Sequence, residues 1–278
     1  MKSKYKGTIL IADSCAGGLE ILKYFLEWAG DYKIYYLADG EKNPFGQKTK
    51  KEVKDIVYSW IKNFQTSNDN LKIVVVACNT ASVAIKDQVS NLEKKFKIPI
   101  VTMIDGVEKS VYENKKILKN KNTLILGTRL TINSRIYQNI IKTVGSLKIY
   151  QLEGTQTEKF IARGLEKNEK AKNVMQKELS KYTKKNIDAV LLGCTCYEFI
   201  KSQMNRIYGD NLFFLNPAKY VAVVTKEKLD IKKSKNIKLN KVLIYTTGNL
   251  RVWKKNINII AEKIFNEKLN IKKIDIKR

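Results

Sequence analysis

Histidine is absent from this 278-residue sequence. Its imidazole is the side chain whose pKa lies nearest to neutrality, and it is the most frequent general acid or base in enzymes. Any proton transfer that the protein carries out therefore depends on cysteine, aspartate, glutamate, lysine or tyrosine side chains.

The sequence also has no long apolar run. A membrane-spanning helix needs about 18 or more apolar residues in succession, and no segment approaches that length. The apolar run at residues 9–12 stops at Asp13 and is too short for the core of a signal peptide. The cysteines, at positions 15, 78, 194 and 196, lack the spacing of a disulfide scaffold, which favours a reducing compartment. We therefore expect a soluble, cytoplasmic protein that does not contact a membrane.

Arginine is scarce although the protein is strongly basic. Only six of the 53 basic residues are arginine, and the formal net charge is +26. A charge of this size can indicate binding to nucleic acid or to a membrane surface. The lysines, however, are scattered with asparagine and isoleucine over every segment, which is typical of an AT-rich genome. We expect at most weak, salt-sensitive, non-specific binding of nucleic acid.

Apolar runs of strand length alternate with segments of helical period along the chain. Continuous apolar character predicts strands that are buried on both faces, and alternation with helices predicts an α/β protein with parallel sheets. The predicted strands are residues 8–12, 34–38, 72–77, 100–103, 123–126, 187–192, 212–215 and 241–246, and two of the predicted helices are residues 50–65 and 131–144.

A weak internal repeat suggests two similar lobes. Residues 72–78 and 187–194 are both apolar runs that end in a cysteine, and each is followed by an Ile-Lys-x-Gln tetrad. A chain of this length is long enough to form two lobes, each with its own core, although no Pro-rich or Ser-rich linker marks a boundary between them. We predict two pseudosymmetric parallel-sheet lobes with the active site in the cleft between them. The first lobe comprises residues 1–100 and 210–278, and the second comprises residues 101–209.

Two cysteines are candidates for acid-base chemistry. Cys78 and Cys194 each follow a predicted strand and open a helix, where the helix N-terminus favours a thiolate. A single free cysteine is more often a buried structural residue. Two cysteines in matching contexts, each beside hydrogen-bonding residues, favour a functional pair.

Two further motifs are undecided when taken alone. Asp13-Ser14 ends the first predicted strand and precedes the pair Gly17-Gly18, which would let the backbone approach a ligand closely. Aspartate and serine are, however, also common helix N-caps. The stretch Asn43-Pro44-Phe45-Gly46 predicts only a turn when it is read in isolation.

In order and spacing these motifs together resemble those of the glutamate racemase family, from about residue 8 to about residue 250. That family carries Asp-Ser-Gly-x-Gly-Gly, Pro-Tyr-Gly, Cys-Asn-Thr, Gly-Cys-Thr-His and a late Thr-Thr-Gly. The matching stretches here are Asp13-Ser14 with Gly17-Gly18, Pro44-Phe45-Gly46, Cys78-Asn79-Thr80, Gly193-Cys194-Thr195 and Thr246-Thr247-Gly248.

The resemblance implies a cofactor-independent amino-acid racemase that forms a homodimer and interconverts L- and D-glutamate, supplying D-glutamate for peptidoglycan. One thiolate of the pair Cys78 and Cys194 would remove the α-proton while the opposite thiol delivers one to the other face, and Asp13 would assist one cysteine. The substrate-binding residues that it implies are Asp13, Ser14, Phe45, Gly46, Asn79, Thr80, Thr195 and Cys196.

The sequence departs from the family pattern at several positions. Cys196 stands where the family usually has the histidine that assists the second cysteine, and Phe45 replaces a tyrosine. Alternatives are therefore a racemase for aspartate or another small amino acid, or a low-activity or non-catalytic family member with a thiol, metal or polyanion-binding role. The cysteine spacing lacks the paired Cys-x-x-Cys pattern, so we predict no metal ligand. The resemblance implies that no cofactor is needed.

Overall fold

The computed structural model describes residues 5–67, 70–165 and 167–278. Within these residues, ten strands form two parallel sheets, which confirms the predicted α/β class. The strands are β1 (Gly7–Asp13), β2 (Tyr32–Ala38), β3 (Leu71–Val76), β4 (Ile100–Thr102), β5 (Asn122–Gly127), β6 (Lys148–Glu153), β7 (Ala189–Gly193), β8 (Phe213–Leu215), β9 (Leu243–Thr246) and β10 (Ile271–Lys273).

The helices cover the faces of these sheets. None of those in the described residues is both long and apolar enough to cross a bilayer. The helices are α1 (Leu19–Phe25), α2 (Lys50–Ser67), α3 (Asn79–Ile85), α4 (Val89–Phe96), α5 (Met103–Glu113), α6 (Lys115–Leu118), α7 (Arg129–Asn133), α8 (Ile136–Lys142), α9 (Thr155–Ile161), α10 (Glu169–Leu179), α11 (Lys201–Tyr208), α12 (Ala218–Lys228) and α13 (Leu250–Phe265).

The two sheets share one topology. The first has the strand order β10-β9-β2-β1-β3-β4, and the second has the order β6-β5-β7-β8. In the first sheet, β1 lies between β2 and β3, and β4 lies on the far side of β3. In the second sheet, β5 lies in the same way between β6 and β7, and β8 lies on the far side of β7. The third strands, β3 and β7, are thus equivalent, and Cys78 and Cys194 follow their ends by two residues and one residue. This match supports the predicted pseudosymmetry.

The continuous apolar runs arise because the central strands are covered on both faces. In β1, Ile9 and Ile11 belong to one hydrophobic core while Leu10 and Ala12 belong to another, and all four side chains are fully buried. Successive side chains of a strand point to opposite faces, so a strand between two helical layers must be apolar throughout.

Two strands are absent from the sequence predictions, and both lie at the outer edge of a sheet. β6 buries only Leu152, and β10 buries only Ile271. An edge strand that faces solvent carries no continuous apolar run, so the pattern used for the central strands does not detect it.

The predicted helix at residues 50–65 is confirmed as α2, which buries Trp60 and its apolar neighbours. The predicted helix at residues 131–144 is wrong as a single element, because it is divided into α7 and α8. Arg135 separates them with φ 56°, in the left-handed region, which ends the α-helical hydrogen bonding.

The strands show how the chain passes between the sheets. β4, in the first sheet, ends at Thr102, and β8 pairs with β7 in the second sheet. β4 extends past the predicted lobe limit at residue 100 and β8 lies wholly beyond the limit at residue 209, and these limits stay a prediction. After β8 the chain returns through α12, which packs against α5 and α1, to β9 in the first sheet.

Candidate active site

The two candidate cysteines lie at the carboxyl ends of equivalent strands. Cys78 is the N-cap residue of α3, and Cys194 precedes a short 3-10 helix, Thr195–Ile200. Both thiols are buried, with 6% and 9% of the residue exposed. A charge on Cys194 contributes to the raised pKa of Cys78, so the two thiols are within electrostatic reach of each other. The carboxyl ends of parallel strands are the usual place for a ligand in such sheets.

Asp13 ends β1 beside Cys78. Its carboxylate accepts hydrogen bonds from the backbone N–H groups of Ser14 and Gly18, both at 2.7 Å. Burial raises the pKa of this carboxyl to about 6, against the lowering effect of the Gly18, Ser14 and Cys78 hydrogen bonds. Ser14 Oγ lies 3.5 Å from Cys78 Sγ. Asp13, Ser14 and Cys78 therefore form one hydrogen-bonded group, as the order of the motifs implies.

The helix N-terminus was expected to favour a thiolate at Cys78, but other effects on the pKa of this thiol are larger. Burial raises the pKa of its thiol well above the ordinary value, and the charge of Asp13 raises it further. The hydrogen bonds from Ser14 and from the Ala81 backbone N–H act in the opposite direction but are smaller effects. The helix N-terminus therefore does not compensate for desolvation, and Cys78 is a thiol at neutral pH.

The paired glycines allow the first loop to approach both neighbours. A Cβ on Gly17 would come within 2.3 Å of Thr195 Oγ1, and a Cβ on Gly18 within 3.1 Å of Asp13 Oδ2. Gly17 thus lets the loop after β1 contact the loop after β7. Thr195 itself is buried, with 9% of the residue exposed.

Asn79 and Thr80, which follow Cys78, are held by residues from α8 and from the loop after β5. Tyr137 Oη donates to Asn79 Oδ1 at 2.6 Å, and Thr80 Oγ1 lies 2.9 Å from Thr128 Oγ1. Asn79 Nδ2 is buried and has no hydrogen-bond partner among the described residues. A ligand acceptor is thus the natural partner for this amide.

Phe45 and Gly46 occupy different surroundings. The Phe45 ring is 2% exposed and stacks on Trp60 with ring centroids 5.6 Å apart, so it packs in the core. A Cβ built on Gly46 would lie 3.3 Å from Thr128 Cβ. The backbone at Gly46 therefore lies next to the Thr80–Thr128 pair, while Phe45 anchors this loop.

The late Thr-Thr-Gly motif contacts the loop before Phe45. Thr247 Oγ1 donates to Asp39 Oδ1 at 2.6 Å, and Trp60 Nε1 donates to Asp39 Oδ2 at the same distance. The Asp39 backbone N–H in turn donates to the Asp13 carbonyl at 2.8 Å. Asp39 is fully buried, and through its backbone N–H and its carboxylate it connects the carboxyl ends of β1, β2 and β9.

On the side of Cys194, thiols take the place of an imidazole. Cys196 stands two residues after Cys194, and its Sγ lies 3.6 Å from Cys15 Sγ. The hydrogen bonds with Cys15 and Cys194, together with burial, raise the pKa of Cys196 well above its ordinary value. Cys15 also donates to Asp13 Oδ2 at 3.8 Å, which connects this group to that of Cys78.

Three residues near the site were not predicted as site residues. They are Thr128, Tyr137 and Glu158, whose carboxyl lies near Cys15 and Cys196. Thr128 follows β5, so its position at a strand end was a usable signal. Tyr137 and Glu158 lie on α8 and α9 and reach the site only through tertiary packing.

The fold and these residues define a two-lobed α/β protein with a thiol at the end of each equivalent strand. Residues 30–213 match the Asp/Glu/hydantoin racemase family, and the chain belongs to that family. A glutamate racemase of Sulfurihydrogenibium is 30% identical over 94% of this chain and 96% of its own length.

Solved structures show the same fold. A glutamate racemase isoform of Bacillus anthracis superimposes with a TM-score of 0.81, at 24% identity and 98% coverage of both chains. A Francisella tularensis glutamate racemase in complex with D-glutamate gives a TM-score of 0.78, at 22% identity, covering 97% of this chain and 98% of its own.

Proposed function

We propose that the protein is a glutamate racemase that needs no cofactor and uses Cys78 and Cys194 as its two acid-base groups. The observation that carries this proposal is the position of both thiols at the ends of equivalent strands, β3 and β7. The names of the relatives supply the substrate, since both the similar sequence and the similar structures are glutamate racemases.

In the reaction, the thiolate of one cysteine removes the α-proton, and the carbon–hydrogen electron pair stays on the α-carbon next to the carboxylate. The opposite cysteine donates its proton to the other face of the same carbon. The first cysteine ends as a thiol and the second as a thiolate, so charge is conserved and the reverse reaction starts from the other side. Two groups on opposite faces are sufficient for this chemistry.

Asp13 prepares Cys78 for the first step. With a pKa of about 6 it is mostly a carboxylate at neutral pH, and it accepts the thiol proton when substrate is bound. The substrate ammonium supplies the positive charge that favours the Cys78 thiolate, which burial otherwise disfavours. Asn79 Nδ2 donates to a substrate carboxylate, and Ser14, Thr80 and Thr195 provide the remaining hydrogen bonds.

The two halves of the site are unequal. Cys194 is followed two residues later by the neutral thiol of Cys196, which is a weaker donor than the protonated imidazole that the family usually has at this position. We therefore expect the step in which Cys194 acts to be the slower of the two proton transfers.

The test is exchange of the α-proton in heavy water, followed by proton NMR from L-glutamate and from D-glutamate separately. We expect exchange from both enantiomers at unequal initial rates. The variants Cys78→Ser and Cys194→Ser should each lose about 10² to 10⁴ in rate, the usual contribution of a positioned acid-base group. Lack of exchange from either enantiomer at high enzyme concentration would show that the proposal is wrong.

The same assay with aspartate and other small amino acids separates the substrate from the reaction type. If aspartate exchanges its α-proton and glutamate does not, the protein is still a racemase but its substrate is aspartate. Salt-dependent DNA binding by a parent protein that racemises none of these amino acids would instead favour a polyanion-binding role for the +26 charge.

The cellular setting belongs to the same proposal. The protein acts in the cytoplasm as a homodimer and supplies D-glutamate for peptidoglycan. Light scattering coupled to size exclusion checks the dimer. Loss of growth on depletion of the protein, restored by added D-glutamate, checks the metabolic role.

A further inference from the structure

Cys15, Glu158 and Cys196 form a cluster that the proposed racemisation does not require as a unit. Cys15 lies in the loop after β1, Glu158 lies on α9, and Cys196 lies in the turn after β7. One donor atom from each residue lies within 4.8 Å of the other two, and the two Sγ atoms are 3.6 Å apart. All three are buried, with 2%, 4% and 1% of the residue exposed.

Glu158 carries an unsatisfied polar atom in this cluster. Its Oε2 is buried and has no hydrogen-bond partner among the described residues. Buried carboxyl oxygens are rarely left unpaired, because desolvation without a compensating partner costs free energy. Burial raises the pKa of the carboxyl to about 7, and the charge of Asp13 contributes. The charges of Lys159 and Arg163 lower this pKa by less than burial raises it, and the geometric sign of incomplete compensation is the unpartnered Oε2.

We propose that Cys15, Cys196 and Glu158 bind a thiophilic divalent cation of the zinc type. Two sulfurs bound tetrahedrally to zinc at about 2.3 Å lie about 3.8 Å from each other, close to the 3.6 Å between these two Sγ atoms. Thiolate sulfur with one carboxylate oxygen is a donor set that suits zinc better than magnesium or calcium.

Binding of the cation needs no further reactant, because the protons that are released can be accounted for. Each thiol releases one proton when its sulfur binds the cation, and two thiolates with one carboxylate surround a charge of +2. The two protons leave to solvent, so binding weakens as the pH falls. With three protein donors, the fourth position of a tetrahedral cation is left to a water molecule.

This arrangement gives the cation a consequence for the proposed reaction. A cation on Cys15 removes the thiol that donates to Asp13 Oδ2 and places positive charge beside this carboxylate, which makes Asp13 a weaker acceptor for the Cys78 proton. Zinc is thus an inhibitor of racemisation and not its cofactor. The cation site itself does not depend on the racemase proposal, because its binding is measured without substrate.

The test titrates the reduced, metal-free protein with Co²⁺ under anaerobic conditions. We expect one equivalent to produce a near-ultraviolet thiolate-to-cobalt band and the intense visible bands of tetrahedral cobalt, and Zn²⁺ to abolish both. Cys15→Ser and Glu158→Gln should each weaken binding at least about tenfold, with their unfolding curves checked for a folded protein.

Cys78→Ser is the matched control, since Cys78 is a buried thiol of the same site outside the cluster. It should keep the cobalt bands while it loses racemisation, so failure of one proposal is distinguishable from failure of the other. The cation proposal is wrong if the reduced parent shows no tetrahedral cobalt spectrum, or if Cys78→Ser weakens binding as much as Cys15→Ser does. Formation of a Cys15–Cys196 disulfide in air, with no binding after reduction, would also overturn it.

Discussion

The guanidinium of Arg278 spans the carboxylate of Asp39, with Nη2 at 2.8 Å from Oδ1 and 2.9 Å from Oδ2. Asp39 is fully buried, whereas the Arg278 side chain is 25% exposed. Arg278, which is 239 positions further along the chain, thus neutralises the Asp39 carboxylate. Asp39 lies at the carboxyl end of β2, where the loop toward Phe45 begins. Such a charge is costly to bury without its partner.

Arg278→Gln should therefore destabilise the protein by about 2 kcal/mol. Hydrogen bonds to charged groups contribute about 1.5 to 3 kcal/mol each, and Asp39 keeps its bonds from Trp60 and Thr247. The measurement is urea unfolding followed by circular dichroism. Lys277→Gln, a change at an exposed neighbour, should alter the free energy of unfolding by less than about 0.5 kcal/mol. Equal effects of the two changes would show that the Asp39 contact does not stabilise the fold.

Tyr137→Phe tests the orientation of the Asn79 amide. The change removes the 2.6 Å hydrogen bond to Asn79 Oδ1 and leaves a buried acceptor unpaired, at a cost of about 1 to 3 kcal/mol. Because Asn79 then loses its fixed orientation toward substrate, KM for glutamate should rise about tenfold with little change in kcat. Steady-state kinetics and thermal unfolding check the two parts separately. An unchanged KM would show that Asn79 does not bind substrate.

The sequence predicts the central strands well because they are covered on both faces by helices. All eight predicted strands are present, with ends shifted by one to two residues at most positions. It cannot predict β6 and β10, which each bury only one side chain and therefore carry no continuous apolar run. The break between α7 and α8 at Arg135 also cannot be predicted from the apolar spacing. Ile132, Ile136 and Ile140 keep helical spacing although Arg135, which lies between them, has a positive φ.

For the site, residues at strand ends were predictable and residues on helix faces were not. Cys78, Cys194 and Asp13 follow apolar runs, so the rule for parallel sheets applies to them directly. Glu158 and Tyr137 reach the site through the packing of α9 and α8, which no local pattern encodes. The pKa of Cys78 was also unpredictable, since it depends on burial and on the charge of Asp13.

Arg135→Gly tests the kink between α7 and α8. Arginine at φ 56° carries a steric cost that glycine avoids, so we expect the change to stabilise the protein by about 0.5 to 1 kcal/mol. Lys142→Gly, at an exposed position in the last turn of α8, is the control and should destabilise by up to about 1 kcal/mol. Denaturant unfolding measures both. Destabilisation by both changes to the same extent would show that the left-handed conformation is not costly at position 135.

The pH dependence of activity should report Asp13. With a pKa of about 6 in the free protein, its ionised fraction falls tenfold for each pH unit well below 6, and kcat/KM should fall in parallel. Asp13→Asn should remove this acid limb and lower kcat about 10²-fold at pH 8. Glu158→Gln is the control, because kcat/KM of this variant should still fall below about pH 6. An acid limb that survives in Asp13→Asn would assign the titration to another group.

Glu158 should make the folded protein less stable as the pH rises. Burial raises the pKa of its carboxyl from 4.5 to about 7, so the folded state binds this proton more tightly than the unfolded state does. The stabilisation is fully present below about pH 4.5 and is lost as the pH rises through 7. The loss amounts to about 3 kcal/mol, from about 1.4 kcal/mol per pKa unit.

Glu158→Gln isolates this effect, because glutamine resembles the protonated carboxyl but does not titrate. At pH 5 the variant and the parent should unfold at similar urea concentrations, and by pH 8 the variant should be the more stable by about 3 kcal/mol. The same change at Glu153, whose side chain is 38% exposed, controls for the general loss of one negative charge. A difference between the Glu158→Gln variant and the parent that is the same at pH 5 and pH 8 would mean that Glu158 has an ordinary pKa. The carboxyl would then have a positive partner in solution, and the cluster with Cys15 and Cys196 would be the first place to look for a bound cation.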